Sequence, residues 1–133
     1  MGIRSQLAHI RAAIAFAPAT INTATTTAGT VIDTARHPSV GVMWGAHAYT
    51  AGDFTALIEE ADNVGMTGAV ALTEKRLDLD AATVSAAVGT GFYRRIEMIS
   101  TLQFLRFSIV SANSPNANLS AFWMIEPDVK PGV

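Results

Sequence analysis

From Phe104 to Val110 the side chains alternate with a period of two, Leu105, Phe107 and Ile109 on one face and Phe104, Arg106, Ser108 and Val110 on the other. A helix repeats every 3.6 residues and cannot keep such a set on one side, so this stretch is a strand. The same rhythm recurs upstream. Tyr93, Arg95 and Glu97 alternate with Arg94, Ile96 and Met98. Val40, Val42, Trp44 and Ala46 oppose Met43, His47 and Tyr49, and Phe54, Ala56 and Ile58 oppose Thr55, Leu57 and Glu59.

Turn residues separate these runs. Ala51-Gly52-Asp53 marks Tyr49 to Phe54 as a hairpin turn, and Asp62-Asn63-Val64-Gly65 closes the strand that follows. Asn113-Ser114-Pro115-Asn116 breaks the chain before a last strand from Leu119 to Glu126, and Pro127 and Pro131 end the ladder because proline has no amide to donate. Ile21 and Val31-Ile32 occupy strand positions with Ala28-Gly29-Thr30 as a turn, and Met66 to Leu72 reads as a Gly-interrupted strand. Between 74 and 91 the pattern is weak: Leu77 and Leu79 suggest a short strand, and Ala81 to Thr90 a loop or one helical turn. About seven short strands at regular spacing predict a mainly β fold, an antiparallel β-sandwich of jelly-roll-like type.

The N-terminus has another texture. Ile3, Leu7, Ile10 and Ile14 are spaced four, three and four, with Arg4 and Arg11 off the stripe, which predicts a short amphipathic helix over 3–17 that stops before Pro18. Such a helix either covers one end of its own core or docks on a neighbour as an arm. The expected organisation is a helix or arm at 1–18, a sandwich domain at 19–127 and a tail at 128–133. Met1-Gly2 opens like a myristoylation signal, but Gln6 stands where Ser or Thr is needed. His9 and Arg11 interrupt the apolar stretch Leu7 to Ala17, which argues against a secretory signal, and no run approaches the ~20 apolar residues of a membrane span.

Composition bears on partners. Half of the 133 residues are hydrophobic and only 15% are charged, below the usual quarter. Interfaces lose charge at their centre, so a surface this neutral suits a subunit packed against other subunits. A net charge of −2 supplies no field to gather nucleic acid or an anionic membrane, and the absence of cysteine excludes disulfides and thiolate metal sites.

Residues that could carry chemistry are few. His9, His37 and His47 lie on separate elements and supply too few ligands for zinc. Glu59, Glu60 and Asp62, with Asp53 nearby, lack the register of a calcium loop and read as a solvated strand end. Arg94, Arg95 and Arg106 read as strand-edge charges that oppose illicit pairing. Gly89-Thr90-Gly91 lacks the lysine and helix of a phosphate loop. No catalytic, cofactor or metal residue is expected, and the protein is not expected to be an enzyme. Most aromatic residues are expected in the core, yet Phe122-Trp123-Met124-Ile125 is apolar on both faces, so one face is expected to meet another chain. The candidate interface residues are Ile3, Leu7, Ile10, Ile14, Phe122 and Trp123.

The order of several short segments resembles small structural proteins of tailed phages, encoded near the major capsid protein, some of them cement or decoration proteins. It runs from a helix ending in Ala17-Pro18-Ala19 through Gly29-Thr30-Val31-Ile32-Asp33-Thr34, Ser39-Val40, Gly52-Asp53-Phe54-Thr55 and Leu57-Ile58-Glu59-Glu60-Ala61-Asp62. Tyr93-Arg94-Arg95, Phe104-Leu105-Arg106-Phe107 and a final apolar strand ending at Pro127 complete it. The chain departs from that pattern over 74–91, and at Phe122 and Trp123, where smaller residues are expected. The resemblance implies a cement subunit on the phage head surface, made in the host cytoplasm, that binds the major capsid protein and itself, as a homotrimer, with no nucleic-acid or membrane partner and no cofactor. The alternatives are a tail, connector or head-fibre component and, from another class, a carbohydrate-binding sandwich with Trp44 or Trp123 as its stacking platform.

Overall fold

A computed structural model describes residues 11–35, 40–72, 83–84, 92–98 and 102–125. Seven strands form one antiparallel sheet: β1 (Arg11–Ile21), β2 (Thr26–Asp33), β3 (Val40–Ala61), β4 (Val70–Ala71), β5 (Thr83–Val84), β6 (Phe92–Met98) and β7 (Phe104–Ile125). Its spine is the pair β3 and β7, each of 22 residues, matched from Val40 opposite Ile125 to Ala61 opposite Phe104.

Drawn straight at about 3.3 Å per residue, either strand would reach roughly 70 Å, about twice the diameter of a compact domain of this size. The strands must therefore bend, and their register shifts between Ala46 and Ala48, Tyr49 and Ala51, and Ala51 and Asp53. Extra residues of this kind are β-bulges, which kink a strand without ending it. Gly52 (φ 95°), Asn113 (φ 58°) and Ser114 (φ 53°) take the left-handed backbone at the bend. A side chain on Gly52 would also meet Pro115 Cα at 2.4 Å. Tyr49 Oη donates to the Gly52 carbonyl at 2.7 Å, and the Asn113 amide donates to the Asp53 carboxylate.

The bend divides the sheet into two arms. In the first, Val40–Ala46 of β3 and Leu119–Ile125 of β7 lie between β1 and β6; in the second, Asp53–Ala61 and Phe104–Ala112 lie between β2 on one side and β4 and β5 on the other. The alternation sends Val42, Trp44, Leu119 and Trp123 of the first arm and Phe54, Ile58, Leu105 and Phe107 of the second into one buried cluster. The arms meet at Phe107, whose ring centroid lies 6.4 Å from Phe16 and 6.3 Å from Trp44. Their edges also touch, where Thr30 Oγ1 donates to the Ile14 carbonyl at 2.5 Å.

Beside that contact a Cβ on Gly29 would stand 2.1 Å from the Ala15 oxygen and 2.6 Å from the Phe107 oxygen. Both obstacles are backbone and cannot swing away. Gly29→Ala is accordingly expected to cost about 1–3 kcal/mol, as overpacked sites do, read as a lower urea midpoint with an unchanged slope.

Several expectations need correction. Residues 11–17 are not helical but belong to β1, which continues through Pro18 to Ile21. The reason is tertiary: β7 offers a ladder from Ile125 to Ala117, and pairing along it outweighs the weak helical preference of a short Ala-rich stretch. Residues 3–10 lie outside the described residues. The hairpin turn at Tyr49 to Phe54 and the break at Asn113 to Asn116 are bulges within continuous strands, and Ala28-Gly29-Thr30 is a register shift inside β2. Of Met66 to Leu72 only Val70–Ala71 is strand. The expected mainly β, antiparallel fold is present; among the described residues its strands form one bent sheet, two of them 22 residues long in place of short ones. The turn at Asp62 to Gly65 stands, with the Asn63 carbonyl accepting from Met66 N at 3.1 Å and Asn63 Oδ1 from Thr67 N at 3.0 Å. Within 74–91 the structure describes Thr83–Val84, a short strand opposite Phe54 and Thr55.

Candidate functional site

In β7, parity separates two neighbouring aromatic residues. Trp123 points inward, paired with Val42 and Ala13, and is 1% exposed; Phe122 points outward and is 40% exposed. Phe122 stands opposite Ile14 on one side and Met43 on the other. Those two are 52% and 37% exposed. Three large apolar side chains thus form a single row across β1, β7 and β3, about 10 Å from end to end at ordinary strand spacing. The other large exposed apolar residues among the described ones, Val64, Val70 and Leu102, lie outside this row. Scattered single residues of that kind are normal on a protein surface, and the contiguous row is what makes these three a candidate site.

The surroundings match the row's character. Towards the end of the arm, Ala12, Met124 and Gly41 form the next row, and the Met124 methyl lies over Gly41, 3.4 Å from where a Cβ would stand. Towards the bend, His47 Nε2 and Ser120 Oγ are 3.1 Å apart, and Asn118 Nδ2 donates to Thr20 Oγ1 at 3.3 Å. Glu97, opposite Gly41, stands at the β6 side. An apolar centre containing an aromatic residue and methionine, rimmed by polar groups, is the usual composition of a protein–protein interface. The β1 edge is less suited to strand addition: Thr30 occupies the Ile14 carbonyl, and Pro18 has no amide to offer.

Of the candidate interface residues, the fold brings Ile14 and Phe122 face to face on the surface, and this Ile14 contact comes from a strand, not from the expected helix. Trp123 is withdrawn as an interface residue because it is core. Ile3, Leu7 and Ile10 lie outside the described residues. Met43 was missed in the sequence, although it is the large apolar member of the outward set that also holds His47.

The other polar clusters resolve into structural pairs. Glu59 and Arg106 form an ion pair at 2.5 Å, while Glu60 on the opposite face is buried and accepts from Leu102 N at 3.2 Å. Asp62 accepts from Asn63 Nδ2 at 3.0 Å and Asp53 from Asn113. The carboxylates therefore do not converge, and among the described residues no group of three or more metal-ligating side chains occurs. The His47–Ser120 pair has the atoms of a nucleophile and base, but Ser120 is 1% exposed, so its hydroxyl is closed to a substrate. Trp44, at 0%, and Trp123 are both inside the core, which removes the stacking platform of the carbohydrate-binding alternative. Among the described residues no helix is long and apolar enough to cross a membrane.

The chain matches no protein-family profile and no curated protein. Among solved structures it is similar to the PBSX exported protein XepA, with 19% identity and a TM-score of 0.56 over 92% of this chain and 40% of that one. The likeness is one of fold. The chain thus spans two fifths of the length of XepA, as 40% coverage states. The SPBc2 prophage-derived protein YomS superposes over 87% of this chain and 91% of its own, at 8% identity and a TM-score of 0.49, too slight to bear on the fold.

Proposed function

We propose that the protein is a virion structural subunit of a tailed bacteriophage, a capsid cement or decoration protein that binds the major capsid protein, stabilises the head and performs no chemistry. The observation that carries this reading is the exposed Ile14–Phe122–Met43 row on the outer face of the first sheet arm. The order of segments that resembles phage structural proteins supports it, and so does a fold held in common with XepA, a PBSX protein.

The arm's four strands, about 4.8 Å apart and seven residues long, offer a footprint of roughly 400 Å² per subunit, half the ~800 Å² that each partner buries in a standard stable complex. One such contact is weak. On a repeated lattice, subunits that also hold one another, as a homotrimer in this proposal, convert later contacts into intramolecular ones and bind firmly. A cryo-EM map of the particle tests the assignment: density for this fold on the head surface, at a copy number near that of the capsid protein, is expected. A small fixed number of copies at the portal or tail would replace cement with a connector or tail role.

A further inference from the structure

We infer that two copies of the chain join edge to edge through β6, antiparallel and about a two-fold axis at Ile96, in a register that sets Arg95 of each copy opposite Glu97 of the other. An open strand edge is a template for a further strand unless something blunts it. Three of the four flanks of this sheet are blunted. β1 shifts register twice, contains Pro18 and has its Ile14 carbonyl taken by Thr30. β2 shifts register between Ala28 and Val31, and its Gly29 lies against the Ala15 carbonyl of β1. The flank of β3 in the second arm is covered by β4, by β5 and by Leu72, whose amide donates to the Ile58 carbonyl at 2.8 Å. β6 differs. It pairs with β3 from Phe92 opposite Ala46 to Met98 opposite Val40 without a register shift, contains no proline, and has no strand beyond it among the described residues.

Arg94 and Arg95 read in the sequence as charges that oppose pairing at an edge. They oppose particular registers. A two-fold axis perpendicular to the sheet keeps each residue on its own face, so the axis must pass through a residue and not between two. An axis at Arg94 sets Arg94 opposite Arg94, and an axis at Arg95 sets Arg95 opposite Arg95; like charges directly opposite are destabilising. An axis at Ile96 sets Ile96 opposite Ile96, Arg94 opposite Met98, and Arg95 opposite the exposed Glu97, twice over. Opposite charges then face each other at two positions, and the ladder gains about one main-chain hydrogen bond per residue over 94–98. The charges thus select one register.

The same axis leaves both outer faces on one side of a continuous sheet. Where the Ile14–Phe122–Met43 row is the capsid contact, as proposed above, the two rows lie side by side, and the footprint doubles from roughly 400 to about 800 Å², the area a standard complex buries per partner. A contact of this isologous kind closes at two copies, so it is separate from the three-fold contact of a trimer and joins copies in even numbers.

The chain has no cysteine, so single cysteines report the register directly. Full-length Arg95→Cys and full-length Glu97→Cys, mixed and mildly oxidised, are expected to give a covalent dimer on a non-reducing gel at several-fold the yield of either variant alone. The mixed pair keeps one Arg95–Glu97 contact, whereas the two Arg95 positions lie about 8 Å apart in this register, beyond the ~7 Å that a disulfide spans. Cross-linking of Arg95→Cys with itself at the yield of the mixture overturns the inference, and so does a mixture that yields no dimer. Charge reversal gives a second readout by sedimentation. Arg95→Glu is expected to weaken association about tenfold, with an unchanged far-UV spectrum, and Arg95→Glu/Glu97→Arg to restore it. A folded double variant that stays as weak as the single one overturns the inference; if either reversal unfolds the chain, the cysteine mixture decides. An unaltered chain that sediments only as a monomer or a trimer overturns it as well. None of these measurements uses capsid shells, so their failure leaves the capsid reading to the particle map, and failure of that reading leaves the edge contact standing.

Discussion

Phe107→Ala is expected to lower the melting temperature by on the order of 15 °C, the effect of losing about 3–5 kcal/mol in a domain of this size. Phe107 is fully buried on the second arm, and its ring meets Phe16 and Trp44 of the first. Truncation removes the contact where the two inner faces join. Circular dichroism at 218 nm, a wavelength at which strands absorb, follows the transition. Val110→Ala, at a half-buried outward position of the same strand, serves as the comparison. Equal losses for the two variants would mean that Phe107 does not join the arms.

Phe122→Asp is expected to leave the fold intact and to weaken attachment to capsid shells roughly 100-fold, because it would bury an unpaired charge at the centre of the contact. The fold tolerates the change because Phe122 lies on the outer face and contributes only cross-strand pairs with Ile14 and Met43, worth up to ~1 kcal/mol each. Co-sedimentation with shells that lack the protein measures the effect. Unchanged binding by a folded variant would remove the row from the contact.

Much of the sheet was legible because burial in a strand has a period of two. The alternation groups Leu105, Phe107 and Ile109, Val42 and Trp44, and Phe54 and Ile58 each on one face of its strand, and the structure buries those faces. The same parity, carried through to Ile125, would have separated Trp123 from Phe122; treating the run as apolar on both faces without fixing which residue faced inward kept Trp123 among the interface candidates. The bend was illegible for a different reason. Gly52, Asn113 and Ser114 adopt positive φ in a bulge as readily as in a turn, and only the facing strand, more than 50 residues away in sequence, decides between ending a strand and kinking it. The N-terminal misreading has a similar origin. Ile14 fits a helical stripe with Ile10, yet it is Phe122, supplied from the far end of the chain, that gives Ile14 its partner and β1 its ladder. The row itself was half visible, since Met43 sits in an outward set where a polar residue costs nothing and an apolar one therefore requires an explanation.

The central claim is that this subunit stabilises a phage head by binding it, and the most direct measurement is the temperature at which particles release DNA, with and without the protein. Particles lacking it are expected to assemble and package but to release DNA at a lower temperature, and under milder osmotic shock; adding back the unaltered protein restores resistance, and adding back Phe122→Asp does not. Equal thermal and osmotic stability of particles with and without the protein would contradict the account.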